Sequence, residues 1–141
     1  MPSPIDTAFQ ALKEDFDLLD DWEQRIEYVI DLGQGLAPMD EADRVEANRV
    51  SGCASKVWLA VRPGPEGTLA FAADSDSQLS KGNVALVLAL FDRQRPRDIL
   101  DFDIRAALDQ LGLPSALTPQ RANGLNAMVN RIRQAAQAAL A

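Results

Sequence analysis

Cys53 is the only cysteine of the chain, and no histidine accompanies it. It stands in Val50-Ser51-Gly52-Cys53-Ala54-Ser55-Lys56, a run of mostly small residues. Gly52 permits backbone angles that other residues avoid. Small neighbours let a second molecule come close to the sulfur. The run reads as a loop tip that presents a thiol. The bland alternative is that a lone cysteine is a small buried hydrophobe, but a purely structural cysteine favours the middle of an apolar strand or helix. Lys56, or Arg121 if the fold brings it near, would favour the thiolate, which is the nucleophilic form.

The missing residues bound what this sulfur can do. Without histidine, Ser-His-Asp and Cys-His catalysis within the chain are excluded. So is every His-ligated metal, the HExxH zinc site included. One cysteine forms no internal disulfide and builds no thiolate zinc or iron–sulfur cage by itself. The chain has no histidine base for acyl transfer and no resolving thiol for dithiol exchange. What remains is thiolate attack on a sulfur electrophile. The thiolate takes the outer sulfur of a persulfide, keeps it and hands it on, under the same controls as thiol–disulfide exchange. A partner's active site can supply the deprotonation.

Other motifs fail on inspection. Asp74-Ser75-Asp76-Ser77-Gln78 begins like a calcium loop, but the sixth position is Leu79 and the twelfth is Ala85. Gly33-Gln34-Gly35 lacks a third glycine and follows no strand, so it is not a dinucleotide loop. Asp74 and Asp76 could work as an acid/base pair, although helix capping accounts for them more simply.

The chain has 141 residues, with 14 Lys+Arg against 21 Asp+Glu and a formal charge of −7. That length predicts a single domain over residues 1–141, able to bury roughly two-thirds of its unfolded surface. The acidic balance argues against nucleic-acid binding, and the aromatics do not interleave with Lys/Arg as a stacking platform would. No secretory signal opens the sequence. Its longest apolar stretch, Val84–Phe91, is far too short to span a membrane. The expectation is a soluble protein of a reducing compartment, the cytoplasm. The charge fits docking on a basic partner and ordinary solubility equally.

Elements must position the thiol. Phe9, Leu12, Phe16 and Leu19 mark a first helix, opened by Asp6 or Thr7. Asp20 or Asp21 caps a second, lined by Trp22, Ile26, Val29 and Ile30 and stopped by Gly33. Residues 33–47, with Asp40, Glu41 and Asp43, read as a solvated loop. Val57–Val61 and Leu69–Ala73 flank Pro63-Gly64-Pro65-Glu66-Gly67, which predicts a hairpin. A strand near Arg44–Val50 would complete a three-stranded antiparallel sheet. Ser75 or Ser77 then caps a helix over Gln78–Phe91, and Pro96 breaks the chain. Asp103 opens a helix through Leu111, closed by Gly112 and Pro114. Thr118 caps a last helix with Pro119 at its first position, burying Leu125, Met128, Val129, Ile132 and Ala136. The class is α+β, with helices packed on a small sheet.

Several blocks stand out together: Asp21-Trp22-Glu23-Gln24-Arg25, Leu32-Gly33, Asn48 to Trp58 around Cys53, and Ala73-Asp74-Ser75-Asp76. Leu111-Gly112-Leu113 and Thr118-Pro119-Gln120-Arg121-Ala122-Asn123-Gly124-Leu125 follow. In this order and spacing they resemble the SufE/CsdE family of sulfur-acceptor proteins. The resemblance implies the α+β fold shared with IscU-type scaffolds. It implies that Cys53 carries a persulfide taken from a SufS/CsdA-type cysteine desulfurase, that the chain stimulates this enzyme, and that the sulfur goes to a SufBCD-type iron–sulfur scaffold. Pyridoxal phosphate would belong to the desulfurase, leaving this chain without a cofactor or metal. Ser51, Gly52, Ala54, Ser55, Arg121, Asp74 and Asn123 would support Cys53 or meet the partner. Asp74 would pair with Arg121 or cap a helix. The family often has other residues at Ala54, Lys56 and Asn83, which would bear on partner preference. Cys53 is expected to be partly sheltered in the free protein, since an exposed low-pKa thiol oxidises, and to be drawn out on docking. Other readings of the same thiol are a redox sensor, or an inert residue in an acidic regulator of a partner enzyme.

Overall fold

The computed structural model describes residues 4–19, 21–50, 56–112 and 119–140, with side chains at all of these except 22 and 119–122. Helix α1 (Pro4–Asp17) buries Ile5, Phe9, Leu12 and Phe16. It is already formed at Pro4, ahead of the expected caps Asp6 and Thr7, because fully buried Ile5 extends the apolar stripe by one turn. Helix α2 (Trp22–Gln34) opens on Asp21, whose carboxylate accepts the Gln24 N–H at 2.9 Å. Among its described residues Val29 and Gly33 are buried, with Tyr28 and Leu32 packed on the core, while Ile26 is exposed.

Gly33 does not stop α2, which runs on to Gln34 with Gly35 as its C-cap. Gly33 lies instead against Gly82 of helix α3 (Gln78–Phe91). A Cβ on Gly33 would stand 2.7 Å from the Gly82 nitrogen, and one on Gly82 would stand 2.3 Å from the Val29 carbonyl oxygen. The two helices therefore meet backbone to backbone, which only glycines at both positions allow. Helix α3 is buried on nearly every side, from Gly82 to Leu88 and again at Leu90 and Phe91. It packs on α1, α2, the sheet and the last helix. An all-round apolar helix needs such a central place.

Strands β1 (Val57–Pro63) and β2 (Leu69–Ser75) pair antiparallel, from Val57 opposite Ser75 to Pro63 opposite Leu69. Glu66 and Gly67 turn the chain at φ 58° and 77°. Among the described residues the sheet has two strands, not the three expected. Residues 41–48 fold into short 3-10 turns, Glu41–Asp43 and Glu46–Asn48. Their backbone and side-chain donors bond locally: Arg44 N–H to Glu41 O, Arg49 N–H to Glu46 O, and Asn48 Nδ2 to Asp43 O at 2.8 Å. Those bonds compete with a strand ladder. Only Arg49 bridges to β1, at Trp58. The outer edge of β2 is occupied as well. Leu69 exchanges bonds with Gln94 O and Arg93 N–H, and the Phe71 N–H donates to Asp92 Oδ1 at 2.8 Å.

Ser77 caps α3, accepting the Ser80 N–H. Pro96 starts a helix where a break was expected: α4 (Pro96–Asp101) holds it in the first turn, where its missing N–H costs nothing. Asp103 caps α5 (Ile104–Gln110), accepting from Ala106 N–H, and Gly112 follows at φ 74°. Helix α6 (Pro119–Leu140) buries the expected Leu125, Met128, Val129, Ile132 and Ala136; its expected cap Thr118 lies outside the described residues. Phe102 joins Phe9 and Phe91 edge-on, at 6.1 Å to each. No helix among the described residues is long and apolar enough to cross a membrane.

Gly82→Ala is expected to destabilise the fold by about 1–3 kcal/mol or more despite alanine's better helix propensity, because a methyl group must enter the Val29 carbonyl. A urea melt with unchanged midpoint would refute the backbone contact. Tyr28 gives a second test. Burial, then the hydrogen bond and charge of Asp15 (O–H to Oδ2, 2.8 Å), push its pKa up to about 12. Its stabilising contribution is present below pH 10 and is lost as pH rises through 12. As the chain's only tyrosine, it should give one tyrosinate absorbance step near pH 12; a step near 10 would break the pairing.

Candidate functional site

Ser51, Gly52, Cys53, Ala54 and Ser55 lie outside the described residues, and so does the sheltering expected of Cys53. The residues that flank them are described in full. Val50 and Val57 are buried, and the Val50 N–H donates to Val57 O at 2.9 Å. One step outward, Arg49 bridges to Trp58 and sets its guanidinium 5.9 Å from the indole centroid, a cation–π distance. Lys56 N–H donates to Asp76 Oδ1 at 3.0 Å, and Asp76 N–H returns to Lys56 O at 3.2 Å. Arg131 of α6 reaches the other side of this stem and donates to Arg49 O and Ala47 O at 2.9 and 2.8 Å. A closed neck of buried valines thus holds the two ends of the Cys53 segment.

Asp74 stands beside the neck, paired with Trp58 across the sheet. Only 8% of its surface is exposed. Arg44 Nε and Nη2 both donate to its Oδ2, at 3.0 and 2.5 Å. Its Oδ1 accepts Ser75 N–H at 2.8 Å and faces Lys81 Nζ at 3.5 Å. Burial acts to raise the carboxyl pKa. The bonds from Arg44 and Ser75 and the charges of Lys81 and Arg44 outweigh it, holding the pKa below its ordinary value. Asp74 is therefore an anion fixed in a cationic cradle, with little freedom to accept a proton in catalysis. Neither it nor Asp76 caps α3, as expected from the sequence; Ser77 does. The described contacts do not pair the two carboxylates: Asp74 faces Arg44 and Lys81, while Asp76 accepts the Lys56 N–H.

Arg44 also meets Glu41. Asp43, buried, accepts from Arg62 Nη2 at 2.6 Å. The acidic stretch read as a solvated loop is thus pinned over the sheet by its own charges. Asn123 is exposed near the start of α6, and Gly124 is half-buried. The Arg121 side chain lies outside the described residues, so the expected Asp74–Arg121 pair does too; the described partners of Asp74 are Arg44 and Lys81. Asn83 corrects a further expectation. It is 5% exposed, with its Oδ1 buried and unpartnered, so that departure touches the core of α3 rather than a docking surface. No group of three or more Cys, Asp or Glu among the described residues could hold a metal ion. Sequence reasoning missed Arg44, Lys81 and Arg131; long-range charge pairing leaves no local pattern to find them by.

The depressed Asp74 carboxyl carries a pH signature. Its contribution is complete above the unfolded value of 3.8 and is lost as pH falls through the lower folded value. Asp74→Asn should cost about 1–2 kcal/mol at pH 7, moderated by solvent around Arg44. That difference should shrink in melts below pH 3.8. A difference that stays constant from pH 7 to acid would show that the charge is not what matters.

The family model SufE, the Fe-S metabolism associated domain, matches residues 10–136. An uncharacterized SufE-like protein of Rhizobium meliloti (strain 1021) is 40% identical over 137 residues, which are 95% of this chain and 98% of that protein. The solution structure of a hypothetical protein from Thermus thermophilus superposes with a TM-score of 0.77 at 20% identity, covering 94% of this chain and 96% of that one. That structure shows a shared fold, and the other matches reach further: the chain belongs to the SufE family of Fe–S metabolism.

Proposed function

We propose that the chain is a sulfur carrier whose Cys53 accepts sulfane sulfur from a SufS/CsdA-type cysteine desulfurase, stimulates that enzyme by removing its product, and delivers the sulfur to a SufBCD-type iron–sulfur scaffold. The observation that carries this reading is the family match over residues 10–136, within which Cys53 is the only thiol. The transfer is redox-neutral. The Cys53 thiolate attacks the outer sulfur of the enzyme's Cys–S–SH. The old S–S bond breaks as the new one forms, the hydrogen travels with the outer sulfur, and the enzyme's cysteine leaves as thiolate. Thiolate fraction and access govern the rate. A single thiol suits a carrier, because a second nearby would capture the cargo as a disulfide. Pyridoxal phosphate stays in the desulfurase, and this chain brings no cofactor. In this reading Ser51, Gly52, Ala54 and Ser55, being small, leave a partner room to approach, and Arg121, Asn123 and Asp74 support Cys53 or meet the partner.

Incubation with cysteine and such a desulfurase, followed by intact-mass measurement without reductant, tests the reading. Wild-type protein should gain one sulfur atom; Cys53→Ser should gain none and should return desulfurase turnover to its unstimulated rate. An unmodified wild type beside a competent enzyme would sink the carrier reading. Peroxide-driven gain of oxygen without sulfur uptake would favour a redox sensor. Full stimulation by Cys53→Ser would favour an acidic regulator.

A further inference from the structure

Arg131 lies within α6, outside every block that carries the family resemblance, and its guanidinium is committed to backbone. Nη1 donates to Arg49 O at 2.9 Å and Nη2 to Ala47 O at 2.8 Å, across 82 and 84 residues of sequence. Both carbonyls belong to the stem that leads into Cys53. On its other side that stem is tied to β1 by the Arg49–Trp58 bridge, the Val50–Val57 bond and the Arg49 guanidinium over the Trp58 ring. Among the described residues, the other hydrogen bonds of the 3-10 turn at Glu46–Asn48 are all short-range. A planar fork matches two carbonyls at once; a lysine ammonium, a point charge on a flexible stem, does not. The same helix carries Arg121, about 15 Å away along its axis at a rise of about 1.5 Å per residue.

We propose that Arg131 is a positioning residue for the sulfur chemistry of Cys53, fixing the stem of the thiol-bearing segment against α6. The role in sulfur transfer rests on the carrier reading above. The positioning itself does not, since any reaction of the Cys53 thiol would sense a loosened stem. Nothing in the step is catalysed by Arg131; it acts through the backbone at Ala47 and Arg49.

The experiment compares Arg131→Gln and Arg131→Lys with Arg133→Gln, a control on the same helix that removes a comparable bond to Leu100 O at 3.3 Å. Desulfurase turnover is measured against carrier concentration, and the pH profile of Cys53 alkylation by iodoacetamide is measured with no partner present. Arg131→Gln should lower the stimulated kcat by about threefold or more while KM stays within about twofold, and should alter the alkylation profile by a similar factor. Arg131→Lys should fall between, and Arg133→Gln should match wild type in both. If Arg131→Gln does not fold, Arg131→Lys carries the comparison. Variants that match Arg133→Gln in both readouts would overturn the proposal. Wild type that takes up no sulfur, with alkylation still dependent on Arg131, would remove the carrier reading and leave the positioning role standing.

Discussion

The close approach of α2 and α3 at Gly33 and Gly82 is the constraint on which the rest of this structure depends. With no side chain between them, the Val29 carbonyl and the α3 backbone share one plane of contact. That contact fixes the first turns of α3 relative to the sheet it leaves at Ser75. Lys81, next to Gly82, can then reach Asp74. Asp74 in turn faces Trp58 and holds Arg44. A close packing of two glycines, which chemistry-minded reading would pass over, thus sets the polar cluster beside the cysteine-bearing segment.

The sheet is small for its task, and charge compensates for the missing strand. Arg44 with Asp74, Arg62 with Asp43, and Arg49 over Trp58 fasten residues 41–49 across β1 and β2. Exposed ion pairs contribute little one at a time. Asp43 and Asp74 are both buried, so removing their partners would strand charge away from water. Here the pairs act as fasteners for an irregular segment that lacks a ladder of its own.

What the sequence announced was mostly what periodicity and caps encode. The stripes of α1 and α6, the Asp21, Ser77 and Asp103 caps and the hairpin around Pro63–Gly67 all follow from residues close in sequence. The misses share one origin. Gly33 reads as a stop signal until Gly82 is known to lie opposite. Arg44–Val50 reads as a strand until Asn48 and Arg49 are seen bonding locally. Asp74 looks like a cap until Arg44 arrives from thirty residues away. The candidate thiol was legible because chemistry singles out one cysteine without histidine; the scaffold around it was not, because its contacts are long-range.

The occupied outer edge of β2 has a consequence for how the protein behaves in company. Leu69 and Phe71 spend their outward backbone groups on Gln94, Arg93 and Asp92, while β1 meets Arg49 on its own outer side. A two-stranded hairpin left bare would invite strands from other molecules to join it. At Leu69 and Phe71 the positions where a foreign strand would pair are already taken by the chain's own loop. Three residues just past the end of α3 thus blunt this edge of the hairpin from within the chain.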